Sequence, residues 1–344
     1  MSRRKQKNLG LSITAWGECD RMKGRIMVKK VLITGIAGFV GSHLAELLLK
    51  EGHEIYGLVR SRSKTDYIEP IVNKLHLEDA DLMDTHSLYT LISRIKPDYI
   101  FHLAAQSFVP TSWVSPSVTL EVNIVGSANL FEAVRMSGID PVIQIACSSE
   151  EYGLVHPNEL PIKETNPLRP LSPYAVSKLA MDYLGYQYYQ SYKIRIMRTR
   201  GFNHTGPRRG DTFAESNFAK QIALIEKGKQ EPVIRVGNLD ASRDYSDVRD
   251  MVKGYLVAVE KCDPGEVYNI CSGTTIKIGD MLKLLLSYSK VKVETKEDPA
   301  RMRPSDVPVL LGDNSKFVAK TGWKPQIPFE KTMEDLLNYW RERV

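Results

Sequence analysis

The stretch Lys29-Lys-Val-Leu-Ile-Thr-Gly35-Ile-Ala-Gly38-Phe-Val-Gly41 decides the fold of this chain. Its β-branched first half predicts a buried strand, and the apolar spacing that follows predicts a helix over residues 42–50. Gly35 permits a tight turn, Gly38 lets the backbone approach a pyrophosphate, and Gly41 lets helix and strand pack closely. A second strand over residues 53–59 completes a βαβ unit, so the loop predicts a dinucleotide site; a merely tight turn is the alternative.

The alternation of strands and helices continues to about residue 200. Predicted strands cover residues 75–77, 99–103, 142–146 and 194–197, and predicted helices cover residues 85–95, 119–137 and 174–192. Such alternation is typical of an α/β fold, here a Rossmann-type doubly wound parallel sheet. Beyond it, short strands mix with helices, which predicts a smaller α+β C-terminal substrate lobe. Ligands of such sheets bind at the carboxyl ends of the strands, so we expect a cleft between the two parts.

The charge of the chain is concentrated at its beginning. Residues 1–26 hold seven Lys or Arg and two acidic residues, so they account for most of the formal net charge of +6. The nearly neutral remainder predicts no nucleic-acid partner, and no apolar run is long enough to span a bilayer. We expect residues 1–26 to be a disordered basic extension that can be removed without loss of stability or activity, with the folded part beginning near Met27.

Cysteine and histidine are sparse and scattered. The four Cys form no CxxC pair and the seven His show no HExxH pattern, so the sequence predicts no metal site. This usage is typical of a reducing compartment, and we expect a cytoplasmic protein.

Candidate cofactor residues follow three of the predicted strands. Arg60-Ser61-Arg62-Ser63 follows the second strand, where an NAD site usually has an acidic residue for the ribose 2′-hydroxyl. Because Arg suits a 2′-phosphate, the sequence predicts NADP rather than NAD; a solvated basic loop is the alternative. Asp81-Leu82 follows the third strand and Leu103-Ala104-Ala105-Gln106-Ser107 the fourth, with ordinary core positions as the alternative for each.

Three residues predict acid–base chemistry. Ser148 follows the fifth strand, and Tyr174 and Lys178 lie four residues apart on one face of a predicted helix. An ammonium beside a phenol favours the phenolate, so we expect Lys178 to lower the pKa of Tyr174. Tyr174 is then a candidate general acid or base, with Ser148 bonded to the same substrate oxygen and Lys178 also holding the nicotinamide ribose.

These motifs together resemble the extended short-chain dehydrogenase/reductases, which are Rossmann-fold enzymes that act on nucleotide sugars. The resemblance rests on the glycine loop, Asp81-Leu82, Ser148 and the Tyr174–Lys178 pair, and it runs from about Met27 to the C-terminus. It implies an NADP-binding Rossmann domain over residues 27–200 and mainly a nucleotide-sugar-binding lobe over residues 201–344. It also implies a homodimer or homotetramer joined through the long helices.

A narrower resemblance is to the GDP-mannose 4,6-dehydratases. It is carried by Ser148-Ser-Glu150-Glu-Tyr-Gly153 and Phe202-Asn-His-Thr-Gly-Pro-Arg-Arg-Gly210, with further stretches around Arg243 and Arg303. It implies cofactor contacts from Phe39, Val40, His204 and Arg209. It also implies that Asn203, Arg243 and Arg303 bind the substrate diphosphate, with surface salt bridges as the alternative for the two arginines.

Glu150 is the candidate base for elimination, although it does not by itself separate a dehydratase from a reductase. Hydride transfer needs only the Ser, Tyr and Lys, whereas elimination also needs a base for the C5 proton, which a carboxylate two residues after Ser148 can supply. The leading hypothesis is therefore a lyase that converts GDP-mannose to GDP-4-keto-6-deoxymannose by internal hydride transfer with NADP and loss of water.

Two departures from the dehydratase pattern keep a second hypothesis open. The loop Gly38-Phe39-Val40-Gly41 is that of the related NADPH-dependent GDP-4-keto-6-deoxymannose reductases, and Val118 stands where dehydratases have a cofactor-contacting Tyr. Both groups have the Glu. Gln106, Arg208-Arg209 and the loop Arg60–Ser63 favour the dehydratase. Another nucleotide-sugar epimerase or dehydratase is a further alternative, and a non-catalytic NADP sensor is disfavoured because it would not need the Ser–Tyr–Lys set.

Overall fold

The computed structural model describes residues 27–61, 63–299 and 307–344. Three of the sequence predictions lie outside the described residues. They are the basic extension over residues 1–26, Arg62 of the loop after the second strand, and Arg303 of the predicted diphosphate site.

Strands and helices alternate through the first half of the described chain. The strands are β1 (Lys30–Thr34), β2 (Glu54–Val59), β3 (His76–Asp79), β4 (Tyr99–His102), β5 (Val142–Ser148), β6 (Arg195–Gly201), β7 (Asn203–Thr205), β8 (Val233–Val236), β9 (Ser242–Asp247), β10 (Val267–Ile270), β11 (Thr275–Lys277), β12 (Glu294–Glu297) and β13 (Val309–Leu310). The α-helices are α1 (Phe39–Lys50), α2 (Thr85–Ile95), α3 (Val109–Val114), α4 (Pro116–Leu120), α5 (Gly126–Ser137), α6 (Pro173–Tyr192), α7 (Ala214–Glu226), α8 (Val248–Lys261), α9 (Ile278–Ser287), α10 (Ser315–Thr321) and α11 (Phe329–Arg341).

The large sheet is parallel throughout, in the order β10-β6-β5-β4-β1-β2-β3. The strands proceed outward in both directions from β1 and β4, which is the doubly wound arrangement and puts the ligand crevice at that reversal. Helices α1 and α8 cover one face of the sheet, and α2, α5 and α6 cover the other, each around a core of aliphatic and aromatic side chains. The predicted Rossmann-type fold is confirmed.

A smaller α+β part lies beyond the large sheet. At its centre β9 pairs antiparallel with β11 and parallel with β7 and β13, while β8 and β12 form a separate parallel pair. Helices α7, α9 and α11 share a third core there. Two elements from the second half of the chain belong to the first part instead, since α8 packs on the large sheet and β10 is one of its strands. The division of the chain at residue 200 therefore stays a proposal.

One predicted helix is divided in the structure. Instead of a single helix over residues 119–137, α4 is followed by a π-helical turn, Glu121–Val125, and then by α5. The turn contains Asn123, which is fully buried and whose side chain bonds the loop after β4. The hydrogen bonds of the Asn123 side chain therefore explain why the helix widens here into a π turn, which apolar periodicity does not predict.

Strand β9 has the polar sequence Ser-Arg-Asp-Tyr-Ser-Asp, which predicts no strand. Asp244 is nevertheless fully buried, because its carboxylate accepts the backbone N–H groups of Ser272, Gly273 and Gly312 at 2.8, 3.0 and 3.3 Å. A polar strand is stable at this place because neighbouring loops supply the donors.

Among the described residues no helix combines the length and apolar character needed to cross a membrane. Cys147, Cys262 and Cys271, the three described cysteines, are buried free thiols.

Candidate active site

A cavity of about 1320 Å³ lies at the carboxyl ends of β1, β4 and β5, between the large sheet and the smaller part. Single small-molecule sites usually enclose roughly 300–1,000 Å³, so this cavity has room for two ligands. Its lining includes every described residue that the sequence assigns to catalysis, cofactor or substrate, with the exception of Ser61, which is exposed.

The glycine loop forms one wall of the cavity. A Cβ at Gly41 would lie 2.2 Å from the carbonyl oxygen of Gly35, and a Cβ at Gly35 would lie 2.9 Å from the Ala104 nitrogen. A Cβ at Gly38 would meet only the Gly35 carbonyl oxygen, at 3.2 Å, so its remaining surface is open to the cavity. Because the N-terminus of α1 begins beside Gly38, the loop fits the phosphates of a dinucleotide.

The end of β2 and the loop after β3 form the outer end of the same wall. Arg60 and Ser63 line the cavity there, together with Asp81 and Leu82. The carboxylate of Asp81 accepts the N–H of Met83 at 3.0 Å, which fixes the turn that it begins. This end therefore offers two described cations, Arg60 and Lys64, and the hydroxyl of Ser63 to a ribose phosphate, and a carboxylate to a purine amine.

Asn123 holds the loop after β4, whereas in the sequence Asn123-Ile-Val-Gly126 is only a weak motif within a helix, with no role assigned. Its Oδ1 accepts the Gln106 N–H at 2.8 Å, and its Nδ2 donates to the Gln106 carbonyl at 3.0 Å and to Ser177 Oγ, on α6, at 2.8 Å. The loop that lines the cofactor wall is thereby fixed to the helix of Tyr174. The side-chain oxygen of Gln106 is buried with no hydrogen-bond partner among the described residues, so it remains available to a ligand.

Ser148, Tyr174 and Lys178 meet at the middle of the cavity, and only 8%, 9% and 3% of their surfaces are exposed. The phenol of Tyr174 interacts with the Ser148 side chain. The Nζ of Lys178 donates to the Ala146 carbonyl at 2.7 Å and lies 6.0 Å from the centre of the Tyr174 ring. The three side chains thus form the group that the sequence predicts.

The expected lowering of the Tyr174 pKa is wrong for this structure. Burial raises the pKa of Tyr174, against the smaller opposing effect of Ser148, and burial also lowers the pKa of Lys178. Both shifts favour the uncharged forms, because neither a phenolate nor an ammonium is well hydrated in the cleft. The sequence places the two groups correctly but does not report their hydration.

Glu150 is half-buried on the cavity wall, within the 3₁₀ turn Ser149–Glu151. Its backbone N–H donates to Ser148 Oγ at 3.2 Å. Since this bond uses the hydroxyl as an acceptor, the hydroxyl proton of Ser148 is directed toward the Tyr174 phenol, where a substrate oxygen would also lie. One short turn therefore presents a hydroxyl donor and a carboxylate to the same cavity.

A layer of aromatic rings around Arg209 joins the glycine loop to the smaller part. The guanidinium of Arg209 lies 5.2 Å from the ring centre of Phe39 and 3.3 Å from that of Phe213, and 3.3 Å from the Glu215 carboxylate. The Phe39 ring also stacks on His204, whose pKa burial lowers to about 4. Phe213 and Glu215 belong to no recognisable motif, and only the fold brings them to Arg209.

The substrate side of the cavity is formed by β7 and β9. Asn203 lies on β7 and interacts with Tyr245 of β9. Arg243 is 8% exposed, and its Nη1 donates to the carbonyls of Ser242 and Val307 at 2.9 and 2.6 Å. These contacts hold the guanidinium against the wall of the cavity, where a planar fork suits a diphosphate.

Residues 32–336 match the family model described as GDP-mannose 4,6 dehydratase. The chain belongs to the GDP-mannose 4,6-dehydratase family. Members of this family are extended short-chain dehydrogenase/reductase enzymes, in agreement with the sheet order and with the Ser–Tyr–Lys group of the cavity.

Two relatives and one solved structure are similar to this chain over most of its length. GDP-6-deoxy-D-mannose reductase of Pseudomonas aeruginosa is 35% identical over 92% of this chain and 99% of the relative. GDP-mannose 4,6 dehydratase 2 of Arabidopsis thaliana is 36% identical over 92% of this chain and 89% of the relative. The structure of RMD from P. aeruginosa complexed with NADPH matches with a TM-score of 0.81 and 33% identity, over 92% of this chain and 100% of that one.

Proposed function

We propose that this member of the family is a GDP-mannose 4,6-dehydratase, which converts GDP-mannose to GDP-4-keto-6-deoxymannose. The observation that carries the proposal is the match of residues 32–336 to the GDP-mannose 4,6 dehydratase family model, together with the carboxylate of Glu150 on the wall of the same cavity as Ser148 and Tyr174. Hydride transfer alone does not use a carboxylate, whereas removal of a proton from carbon does.

The buried trio handles the hydroxyl at C4 of the sugar. In its phenolate form, which burial disfavours, Tyr174 takes the hydroxyl proton, and Ser148 donates to the same oxygen as the bond to carbon becomes a carbonyl. Lys178, which is anchored on the Ala146 carbonyl, lies near enough to the phenol to stabilise negative charge on it. A nicotinamide held against this group would accept hydride from C4 at the start and return it to C6 at the end, when a proton from solvent is added at C5.

Glu150 carries out the elimination. A ketone at C4 acidifies the C5 proton, the Glu150 carboxylate removes it, and the protonated carboxyl then gives a proton to the departing C6 hydroxyl, which leaves as water. One carboxyl group acts first as base and then as acid, so its charge is restored at the end of the step. Asn203 and Arg243 hold the diphosphate meanwhile, and we keep Arg303 as a third ligand.

The nucleotide cofactor in this proposal is NADP. Arg60 lines the cavity at the end of β2, where a 2′-phosphate is recognised in this fold. We expect NADP to bind at least tenfold more tightly than NAD, and Arg60→Ala to reduce this preference while the affinity for NAD stays the same. Dissociation constants from calorimetry decide the point, and a wild-type preference for NAD would contradict it.

A second candidate function is the NADPH-dependent reduction of GDP-4-keto-6-deoxymannose. It is favoured by Val118, which lines the cavity with 52% of its surface exposed and offers no hydroxyl to a ligand, and by the Phe39-Val40 pair of the glycine loop. The two functions differ at C5, because only the dehydratase breaks a C–H bond there.

Incubation with GDP-mannose in D₂O, without added NADPH, tests the proposal. We expect NMR to show a 4-keto-6-deoxy sugar that carries deuterium at C5. An enzyme that leaves GDP-mannose unchanged, but reduces the 4-keto sugar when NADPH is added, is the reductase.

Two variants separate the steps of the proposed reaction. Glu150→Gln keeps the shape of the side chain but removes the base, so we expect C5 exchange to fall by roughly a hundredfold to ten-thousandfold while NADPH absorbance still develops. Tyr174→Phe should stop the first oxidation, so that no NADPH appears. Equal C5 exchange in wild type and Glu150→Gln would remove Glu150 from the mechanism.

We also propose that the protein is a cytoplasmic homodimer or homotetramer. The free thiols of Cys147, Cys262 and Cys271 support a reducing compartment, and exposed apolar side chains on the long helices support association through them.

A further inference from the structure

Glu151, the neighbour of Glu150, is turned away from the cavity and is fully buried beneath it. Its Oε1 accepts the backbone N–H of Ser148 at 2.8 Å, across the 3₁₀ turn that also contains Glu150. Together with the bond from the Glu150 N–H to Ser148 Oγ, this closes the turn at both ends. A carboxyl group that faces away from the substrate thus fixes the backbone of two residues that face it.

Glu151 is itself held by charged groups from the two elements next to it. Its Oε2 lies 3.2 Å from the Nε of Arg200, on β6, and Arg200 Nε donates to Asp182, on α6, at 2.8 Å. Asp182 is also bonded by Arg198 of β6. Asp182 lies one turn beyond Lys178 and two turns beyond Tyr174 on the same face of α6, so the cluster connects the turn to the helix of the proposed acid–base group.

The arrangement is not that of a metal site. Carboxylate oxygens of Glu151 and Asp182 and the thiol of Cys147 lie within 4.8 Å of one another, which is close enough to share a cation. However, Arg200 and Arg198 already supply positive charge to this group, and a bound cation would be repelled by both. The two arginines instead pair with the two carboxylates.

We infer that Glu151 is a positioning residue, whose side-chain oxygen holds the Ser148 N–H and thereby aims the Ser148 hydroxyl and the Glu150 carboxylate into the cavity. The hydrogen bond that Oε1 accepts performs this task, while Oε2 lies 3.2 Å from the Nε of Arg200. Burial and the neighbouring Asp182 raise the pKa of Glu151, so the uncharged form of this carboxyl group is favoured. An uncharged side chain such as that of Gln is therefore acceptable at this position. This inference rests on the proposed function of Ser148 and Glu150.

Three variants test the inference. Glu151→Met keeps the length of the side chain but has no oxygen acceptor, Glu151→Gln keeps an oxygen for the Ser148 N–H, and Glu151→Asp withdraws the oxygen by one methylene. A misplacement of about 1 Å in a site of this kind costs on the order of a hundredfold in rate. We expect that loss of kcat for Glu151→Met and Glu151→Asp, with KM and bound NADP unchanged, and no more than about a threefold loss for Glu151→Gln.

A matched control exists on another turn of the chain. Glu159 closes the 3₁₀ turn Pro157–Glu159 in the same way, accepting the His156 N–H at 2.8 Å and pairing with Arg169 at 2.7 Å, but it does not line the cavity. Glu159→Met should lower the melting temperature only. If kcat per NADP-loaded site in Glu151→Met and Glu151→Asp equals that of wild type, or if Glu151→Gln loses as much as they do, the inference is wrong.

The assay keeps this inference separate from the proposed function. Turnover is measured with GDP-mannose, and also with GDP-4-keto-6-deoxymannose plus NADPH, because Ser148 serves both reactions. Wild type that is inactive with GDP-mannose contradicts the dehydratase proposal, and the variants are then compared in the reductase reaction, where the same loss of kcat is expected. Should Glu151→Met fail to fold, Glu151→Asp and Glu151→Gln give the same decision.

Discussion

His102, at the end of β4, shows how one buried side chain makes stability depend on pH. Its ring nitrogens bond Thr34 Oγ1 at 2.8 Å and Ser127 Oγ at 2.9 Å, and burial lowers its pKa to about 3. Below the ordinary value near 6.5 the unfolded chain binds a proton that the folded chain does not, so stability falls as the pH falls. Between pH 7 and pH 5 this residue should cost about 2 kcal/mol of unfolding free energy, measured with urea.

The matched variant for this prediction is His102→Gln. It retains groups that can bond both hydroxyls but has nothing to titrate, so its stability should fall less steeply over the same interval, by about the same 2 kcal/mol. The pKa values of His43, His53 and His204 are also lowered, but these residues are present in both proteins and cancel in the comparison. Parallel pH curves for the two proteins would show that His102 is not the titrating group.

Among single residues, the sequence predicts those whose role follows from a short motif. Ser148, Glu150 and Tyr174 stand at strand ends or on one helix face, so spacing alone brings them to the cavity. Asn123 and Glu151 could not be found in this way. Each acts through a contact with an element distant in the sequence, and nothing in the residue type indicates which element that is.

At the scale of elements, the close approach of α1 to β1 depends on one missing side chain. A Cβ at Gly41 would lie 2.2 Å from the carbonyl oxygen of Gly35 and 2.8 Å from the Cα of Ile36, and backbone atoms cannot move aside cheaply. We expect Gly41→Ala to lower the free energy of unfolding by about 1–3 kcal/mol or more, measured by chemical denaturation.

Gly38→Ala is the control on the same loop, because a Cβ there meets only the Gly35 carbonyl oxygen, at 3.2 Å. This variant should lose less stability than Gly41→Ala and also weaken dinucleotide binding, since Gly38 lines the cavity. If Gly38→Ala is destabilised as much as Gly41→Ala, the assignment of Gly41 to helix–strand packing and of Gly38 to dinucleotide binding is wrong.

Element boundaries follow the sequence where local signals agree with tertiary contacts. Helix α2 has the predicted bounds, because Asp84 caps its first turn through the Ser87 N–H at 3.1 Å and Lys96 ends it in the left-handed conformation. The π turn and β9 depart from prediction because buried polar contacts, and not apolar periodicity, decide their backbone. Both departures lie at the cavity, where the fold is adapted to bind ligands.

At the scale of the whole molecule, the two parts are joined through the glycine-loop helix. His43 of α1 bonds the Pro207 carbonyl at 2.9 Å, and Arg208 reaches Ser42 at 3.2 Å and pairs with Glu46. The backbone of Arg208 has a φ of 73°, a conformation that non-glycine residues rarely adopt. The strained residue directs its neighbour Arg209 between Phe39 and Phe213, so the lobes meet at the place where both ligands are expected.

The exposed apolar residues of the long helices predict how molecules associate. Val176 and Tyr183 on α6 are seven residues apart and therefore share a helix face, and 43% and 55% of their surfaces are exposed. A charge buried in a subunit interface is costly, so Val176→Glu should convert the proposed dimer to monomer in sedimentation velocity, with the melting temperature of the monomer reported alongside. The control is Val291→Glu, since Val291 is 41% exposed outside these helices. A Val176→Glu protein that still sediments as a dimer would place the interface on another surface.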